Sequence, residues 1–400
     1  MAEEALAPAP DSASAGPRTP LRELAFFFLR LGTTAFGGPA GHIAMMEDEL
    51  VRRRKWLSRE RFLDLLGASN LIPGPSSSEL AIHIGYLRAG WAGLLVAGVC
   101  FILPAACMVA VLAGTYLRFG TLPAAAAVLY GVKPVVIAVI LQAQWGLGRS
   151  AVKSKFLALA GLLSLVLAAY GVAPILLLVI VGTAVALAAI FREGRSPRAA
   201  LLAPLAAMRP ITASAAGTAA IIVPFSLGSL FLVFLKIGAV VFGSGYVLLA
   251  FLRADLVVHR GWLTDSQLVD AIAIGQVTPG PVFTTATFIG YLLAGARGAA
   301  VATIGIFLPA FLLVAASGPL VPRIRKSKLA GAFLDGVIIA SLALMAVVTW
   351  QLAQSSIVDG VTAVLAAASA VALLRFRLNS GWLVLLGALA GWLVHLVRAP

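Results

Sequence analysis

Long uninterrupted apolar runs limit this chain to few architectures. Trp91 to Leu117, Phe156 to Tyr170, Val172 to Phe191 and Ala296 to Val314 each approach the roughly 20 residues that cross a bilayer as a helix. In lipid the backbone finds no water, so each run must pair its own amides and carbonyls by coiling into a helix. Of 400 residues, 61% are hydrophobic and only 12% charged, a balance that excludes an array of soluble domains. The expected fold class is an all-α, polytopic integral membrane protein.

The chain also writes one pattern twice, about 206 residues apart. Phe36, Gly37, Gly38 and Pro39, then Trp56-Leu57, Asp64 and Pro73-Gly74-Pro75, return as Phe242, Gly243, Ser244 and Gly245, Trp262-Leu263, Asp270 and Pro279-Gly280-Pro281. After a one-residue gap the match continues through Gly85-Tyr86 with Gly290-Tyr291, Leu103-Pro104 with Leu308-Pro309, Gly131-Val132 with Gly336-Val337 and Trp145 with Trp350. This divides the chain into a tail at 1–20, a first transmembrane repeat at 21–191, a cytoplasmic basic linker at 192–223 and a second transmembrane repeat at 224–400. The tail is rich in Ala, Pro and Ser, lacks a signal peptide's basic and apolar regions, and is expected to be disordered. A duplicated hydrophobic unit broken at matching Gly/Pro sites points to a transporter whose binding site lies where the copies meet.

Basic residues decide how each copy faces, since cytoplasmic loops are enriched in Lys and Arg. Arg52, Arg53, Arg54, Lys55, Arg59 and Arg61 follow the first Phe-Gly motif, against only Arg253 and Arg260 after the second. The bias then reverses, with Arg118 alone against Arg323, Arg325, Lys326 and Lys328. It reverses again at Arg149, Lys153 and Lys155, which face Asp359 and no base, and once more at Arg375 and Arg377, which face none. Homologous loops of opposite bias predict repeats of inverted topology, with the linker cytoplasmic and the C-terminus outside. The segments Ser58 to Ile72 and Ser76 to Ala89, hinged at Pro-Gly-Pro, either dip in and return or cross.

The net charge of +14 is spread between hydrophobic segments rather than gathered in a module with interleaved aromatics, so no nucleic-acid partner is expected. The two cysteines, Cys100 and Cys107, lie two helical turns apart on one helix, too far for a disulfide, and are read as packing. No metal site or cofactor is implied. An embedded enzyme would need a clustered His/Asp or Ser/His set, which is missing. Oligomeric state is open, a homodimer included.

Several polar residues stand out against this apolar background. Arg30 and its repeat partner Lys236 lie mid-helix, where a cation costs about 2.5 to 3.5 kcal/mol on insertion scales and usually faces a cavity or partner. They are read as a cationic pair near the pseudo-twofold axis, suited to a small dianion; snorkelling to an interface is the alternative. At Gly38-Pro39, Pro73-Gly74-Pro75 and Pro279-Gly280-Pro281 a helix stops and another starts, aiming free N–H groups at the break. Such N-termini bind anions, and Ser76, Ser77, Ser78, Thr284 and Thr285 could add hydroxyls, Asn70 and Gln276 amides. Phe36, Gly37, Phe242 and Gly243 complete the candidate substrate frame. Asp64, Asp270, Glu79 and His42 are candidates for proton coupling, because intramembrane ionisable groups often carry protons. Glu79 aligns with Thr285, His42 with Leu248 and Lys133 with Ile338, so those three belong to the first copy alone. Trp56 and Trp262 read as interfacial anchors.

Taken together, Phe36-Gly37-Gly38-Pro39 with His42, Met46 and Glu49-Leu50-Val51, then Trp56-Leu57 and Asn70 to Pro75 with Ser76, resemble the chromate ion transporter (CHR) family. The second copy resembles that family's C-terminal half through its Phe-Gly-Ser-Gly, Gly261-Trp262-Leu263 and Pro279-Gly280-Pro281. The resemblance implies the long, two-domain form of a family that exports chromate across the bacterial cell membrane using the proton motive force. Its partners would then be chromate or a similar oxyanion, sulfate being the alternative, and the lipid bilayer.

Overall fold

The computed structural model describes residues 19–35, 38–120, 122–192, 225–242, 245, 247–317, 327–376, 378 and 380–398. Most of the tail and linker, together with Phe36, Gly37 and Gly243 of the motifs, lie outside the described residues. The first copy contains α1 (Leu21–Thr34), α2 (Gly38–Glu47), α3 (Arg59–Ser69), α4 (Ser76–Phe119), α5 (Pro123–Ala151), α6 (Lys155–Ala169) and α7 (Pro174–Arg192). The second contains α8 (Leu227–Val240), α9 (Leu248–Leu252), α10 (Asp265–Val277), α11 (Thr285–Ser317), α12 (Lys328–Ser356), α13 (Gly360–Phe376) and α14 (Ser380–Arg398). Among the described residues six helices are long and apolar enough to cross a membrane: α4, α5 and α7, and their counterparts α11, α12 and α14. The protein is therefore an all-helical, multi-pass membrane protein.

The helix α4 is two helices folded on each other. Gly90 has φ +62° and ψ −148°, a region open essentially to glycine, and here the chain doubles back. A Cβ on Gly93 would lie 2.1 Å from the carbonyl oxygen of Gly85, although residues eight apart in a continuous helix are about 12 Å apart. The result is a short arm, residues 76–88, and a long arm, residues 91–119. In α11 the same bend recurs at Gly295, φ +60° and ψ −151°, with Gly290 and Gly298 in contact.

Two helical hairpins precede each long arm. In the first copy α1, which packs on α4, is followed by α2, which ends in a wider π-type turn at Asp48–Arg53, and α3 packs on α4. Their four ends converge: Arg54 donates to Glu23 at 2.9 Å, while Arg88 donates to the Thr19 hydroxyl at 2.8 Å and the Trp56 carbonyl at 3.1 Å. Both guanidinium groups also lie over the Trp56 ring, at 5.2 and 5.7 Å. The Pro-Gly-Pro segment thus sits at the tip of a hairpin that returns to its starting end. In the second copy the matching base is held by Phe225 against Trp262, 5.2 Å between centroids, with Arg260 over the same indole at 5.3 Å.

The copies interlock by exchanging partners. The first copy's α5 packs on α13 and α14 of the second, while α12 packs on α6 and α7 of the first. Glycine permits both approaches: a Cβ on Gly131 would lie 1.9 Å from the Gly387 carbonyl, and one on its counterpart Gly336 would lie 2.8 Å from Gly182 Cα. Small residues at such crossings are how membrane helices bring backbones together. Val135 to Ile140 of α5 are all buried, as expected of a helix surrounded by protein on every side.

Candidate functional site

At the centre, each copy's Pro-Gly-Pro tip meets the end of the other copy's first helix. Gly74 N–H donates to the Val241 carbonyl at 2.7 Å and Gly280 N–H donates to the Ala35 carbonyl at 2.9 Å. These bonds are repeat counterparts, and they bring each tip against the residue that ends the other copy's first helix. Gly280 has φ +97°, and a Cβ there would lie 2.6 Å from Ala105 Cβ and 3.1 Å from the Gly32 carbonyl. Glycine is what lets the tip enter. Gly74, at φ +138°, is crowded instead by a flexible side chain: a Cβ there would meet Glu79 Oε1 at 2.3 Å.

Around the first tip the lining is polar. Ser76, Ser77 and Ser78 open the short arm of α4 and are buried, and the first N–H groups of that turn have no upstream carbonyl within the helix. His42 is fully buried; its Nε2 donates to the Ala35 carbonyl at 3.2 Å, which leaves Nδ1 to accept from the Ser77 hydroxyl, also at 3.2 Å. The Ala35 carbonyl therefore ties His42 to the opposing Gly280. Glu79 is fully buried, and among the described residues neither of its carboxyl oxygens has a hydrogen-bond partner, nor does Ser78 Oγ. One turn further, His83 is buried and donates from Nδ1 to the Glu79 carbonyl at 3.0 Å, with Ser69 Oγ at 3.4 Å. Sequence reasoning does not single out His83, although a histidine four residues beyond Glu79 in an apolar run, where the second copy has Phe288, is a legible signal.

Apolar or self-satisfied groups take these places around the second tip. Leu248 stands for His42, Phe283 for Ser77 and Phe288 for His83, all buried. The Thr284 and Thr285 hydroxyls, expected to point at the break, donate to the Pro281 and Val282 carbonyls of their own turn, both at 2.8 Å. A threonine at a helix start readily bonds nearby backbone, which removes the donor from a ligand.

The two candidate cations have different local surroundings. Lys236 bonds Asp255 at 2.5 Å, and Arg260 approaches the same carboxylate at 3.3 Å. Asp255 is the repeat counterpart of Glu49, yet Glu49 is held by Arg54 at 2.8 Å. Arg30 instead borders an open cleft of about 450 Å³ with Thr34, Met45, Asp48, Glu49 and Arg53 among its walls. Lys236 thus answers to a carboxylate of its own copy, where attraction over a short distance is strongest.

The matched aspartates also part company. Asp64 is exposed on α3, whereas Asp270 is buried on α10 and bridges the copies. Lys133 Nζ lies 3.0 Å from Asp270 Oδ1 and donates to Ser266 Oγ at 2.7 Å, and the Tyr116 hydroxyl donates to Asp270 Oδ2 at 2.9 Å. Asn70 is exposed and caps α3, Gln276 and Phe242 are half-buried, Pro39 is half-buried in the first turn of α2, and Pro73, Pro75, Pro279 and Pro281 flank the tips. Among the described residues no cluster of metal-ligating side chains occurs.

This duplicated architecture has relatives. A family model described as Chromate transporter matches residues 22–188 and 228–392, one match per repeat. The chain is 35% identical over 400 residues to a chromate transport protein of Cupriavidus metallidurans, covering 98% of each. It is 32% identical over 381 residues to a chromate transport protein of Pseudomonas aeruginosa, covering 92% of this chain and 91% of that one. A probable chromate transport protein of Synechococcus elongatus is 32% identical over 354 residues, with 86% and 87% covered. No solved structure gives a significant match. With both halves matched in register and curated relatives aligned almost end to end, the chain belongs to the chromate transporter family.

Proposed function

We propose that the protein is a secondary transporter that carries chromate, a tetrahedral dianion, out of the cell by alternating access between two inverted repeats. The observation that carries the reading is the reciprocal docking of the tips, Gly74 on Val241 and Gly280 on Ala35, which sets broken helices from both copies around one centre. Inversion is supported by where the ends fall. The long arm of α4 covers about 38 Å from Trp91 to Tyr116 at 1.5 Å per residue. Tyr116 bonds Asp270, midway along α10, and a Cβ on Gly114 would lie 3.0 Å from the hydroxyl of Tyr291, which precedes the bend at Gly295. In this reading the base of the second copy's hairpins lies toward the far end of α4, opposite the first copy's base. Arg52 to Arg61 put the first base on the cytoplasmic side.

In this reading helix N-termini at Ser76 and Ser77 supply N–H donors to the oxyanion, and Arg30 supplies charge at the edge of its cleft. A dianion leaving a cell held at 100 mV, inside negative, gains about 4.6 kcal/mol, twice about 2.3 kcal/mol per charge. Proton entry adds drive if a carboxyl changes its proton during the cycle. Glu79 is the group placed for that: an unpaired carboxylate in its sealed position would cost several kcal/mol, so its charge follows what reaches the tip. Chromate efflux from proteoliposomes at fixed potential, with and without a pH gradient, tests the coupling. The gradient should accelerate efflux in the unmodified protein and not in Glu79→Gln.

Sulfate has the same charge and shape, and the tips offer no group that separates the two. Competition by sulfate, molybdate and phosphate against chromate uptake into inverted vesicles distinguishes them; equal inhibition by sulfate would make the protein a general dianion carrier.

A further inference from the structure

We infer that the cleft between α1 and α2 is an oxyanion site, with Arg30 the cation that holds the anion, and that the first copy alone provides it. The inference deepens the transporter reading and rests on it: the anion is the transported dianion, met on its way to the first tip. The two copies differ at this place in a way that shows what the site accepts. In the second copy Lys236, the counterpart of Arg30, is bonded by the Asp255 carboxylate at 2.5 Å. In the first copy the counterpart of Asp255 is Glu49, but Arg54 holds it at 2.8 Å. Asp48, the other carboxylate in the cleft, is held by Arg53 at 2.9 Å. Among the described residues the Arg30 guanidinium then has neither an ion pair nor a hydrogen bond. A carboxylate of the chain thus fills the second copy's position, while the first copy leaves its cation to an anion from outside.

The cleft has room, about 450 Å³, and its character is aqueous. Arg30 and Arg53 are exposed on its walls, and ionised groups within a bilayer face water or a partner, so water rather than lipid fills it. One wall is a face of α1, formed by Phe27, Arg30, Leu31 and Thr34, spaced by three and four residues as neighbours on a helix are. That face starts one turn from Glu23, which Arg54 bonds at the base, and ends beside Ala35, whose carbonyl receives Gly280. The cleft therefore leads from the base toward the docked tips. The Thr33 and Thr34 hydroxyls bond carbonyls of their own helix, so charge rather than hydroxyl donors holds the anion. The fork of N–H groups on a guanidinium suits two oxygens of one oxyanion. In the second copy Val240, Phe251 and Ala254 replace Thr34, Met45 and Asp48, which makes the corresponding walls apolar.

Equilibrium binding of radiolabelled chromate to the purified full chain in nanodiscs tests the site, with melting in detergent to confirm folding. Arg30→Gln is expected to raise the Kd about tenfold or more, as loss of a charge-assisted contact does. Arg30→Lys, which supplies the cation used in the second copy, is expected to recover most of that loss; an equal loss in folded Arg30→Lys overturns the site, because the effect then follows side-chain shape and not charge. Thr34→Glu places a carboxylate one turn from Arg30, as Asp255 does for Lys236, and is expected to raise the Kd by a similar factor even if Arg30→Gln does not fold. A wild-type Kd in folded Arg30→Gln or folded Thr34→Glu overturns the site and leaves the transporter reading intact. An unmodified protein that binds neither chromate nor sulfate, and moves neither in proteoliposomes, overturns that reading itself. Native mass spectrometry covers the other source of an oxyanion. Phosphatidylglycerol retained by the unmodified protein and lost in Arg30→Gln, with the chromate Kd unchanged, gives the cleft to a lipid headgroup and overturns the proposal.

Discussion

Glycine and its absence of a Cβ decide where this backbone can go. Gly93 lies so close to Gly85 that an added methyl would meet carbonyl oxygen, with nothing flexible to give way. Gly146, in α5, faces open space. Gly93→Ala is therefore expected to destabilise by about 1 to 3 kcal/mol or more, and Gly146→Ala to be neutral or stabilising by up to about 1 kcal/mol through helix propensity. Thermal unfolding in detergent compares them; equal effects would mean the doubled-back α4 is wrong. Polar residues are less legible one by one. Glu79 and His42 stand out in an apolar run, but that the first has no hydrogen-bond partner among the described residues while the second is fully committed depends on which residues the fold brings to each of them.

Pairs of helices carry the asymmetry that the repeat conceals. Lys133 on α5 and Asp270 on α10 form a buried bridge between copies, and the corresponding residues, Ile338 and the exposed Asp64, cannot, since isoleucine carries no charge. Removing one partner of a buried pair typically costs about 3 to 5 kcal/mol, because the other charge stays behind. Lys133→Met should thus destabilise the protein strongly, and adding Asp270→Asn should restore much of the loss. A double-mutant cycle on detergent unfolding checks this, and additive losses would dismiss the bridge as an energetic unit. The sequence marks Lys133 as special to the first copy and pairs Asp270 with Asp64, but it does not join Lys133 to Asp270, 137 positions away. Their meeting depends on the exchange of helices between repeats. Arg30 and Lys236 show the converse: equivalent in sequence, they diverge because Asp255 reaches Lys236 while Arg54 holds Glu49.

The arrangement of the two copies makes a prediction about sidedness. Arg118 lies in the last turn of α4, before the loop to α5, and Ser327 precedes α12 at the end of the corresponding loop in the second copy. In a background with Cys100 and Cys107 replaced by alanine, cysteines at Arg118 and Ser327 should react with an impermeant maleimide from opposite sides of the membrane. Labelling from the same side would exclude inversion. It would also remove the basis for alternating access, since two units facing one way offer no exchange of inward and outward conformations by symmetry.

The sequence alone determined that the chain is helical, membrane-embedded, duplicated and broken at matching Gly/Pro motifs, because hydrophobic length, backbone pairing in lipid and repeat register are all local or periodic properties. It also carried the family. Only the tertiary structure decided that the Pro-Gly-Pro segments are hairpin tips, that each tip docks on the other copy, and which charges are spent on neighbours. Those outcomes depend on contacts between residues far apart in the chain, and no local spacing encodes them.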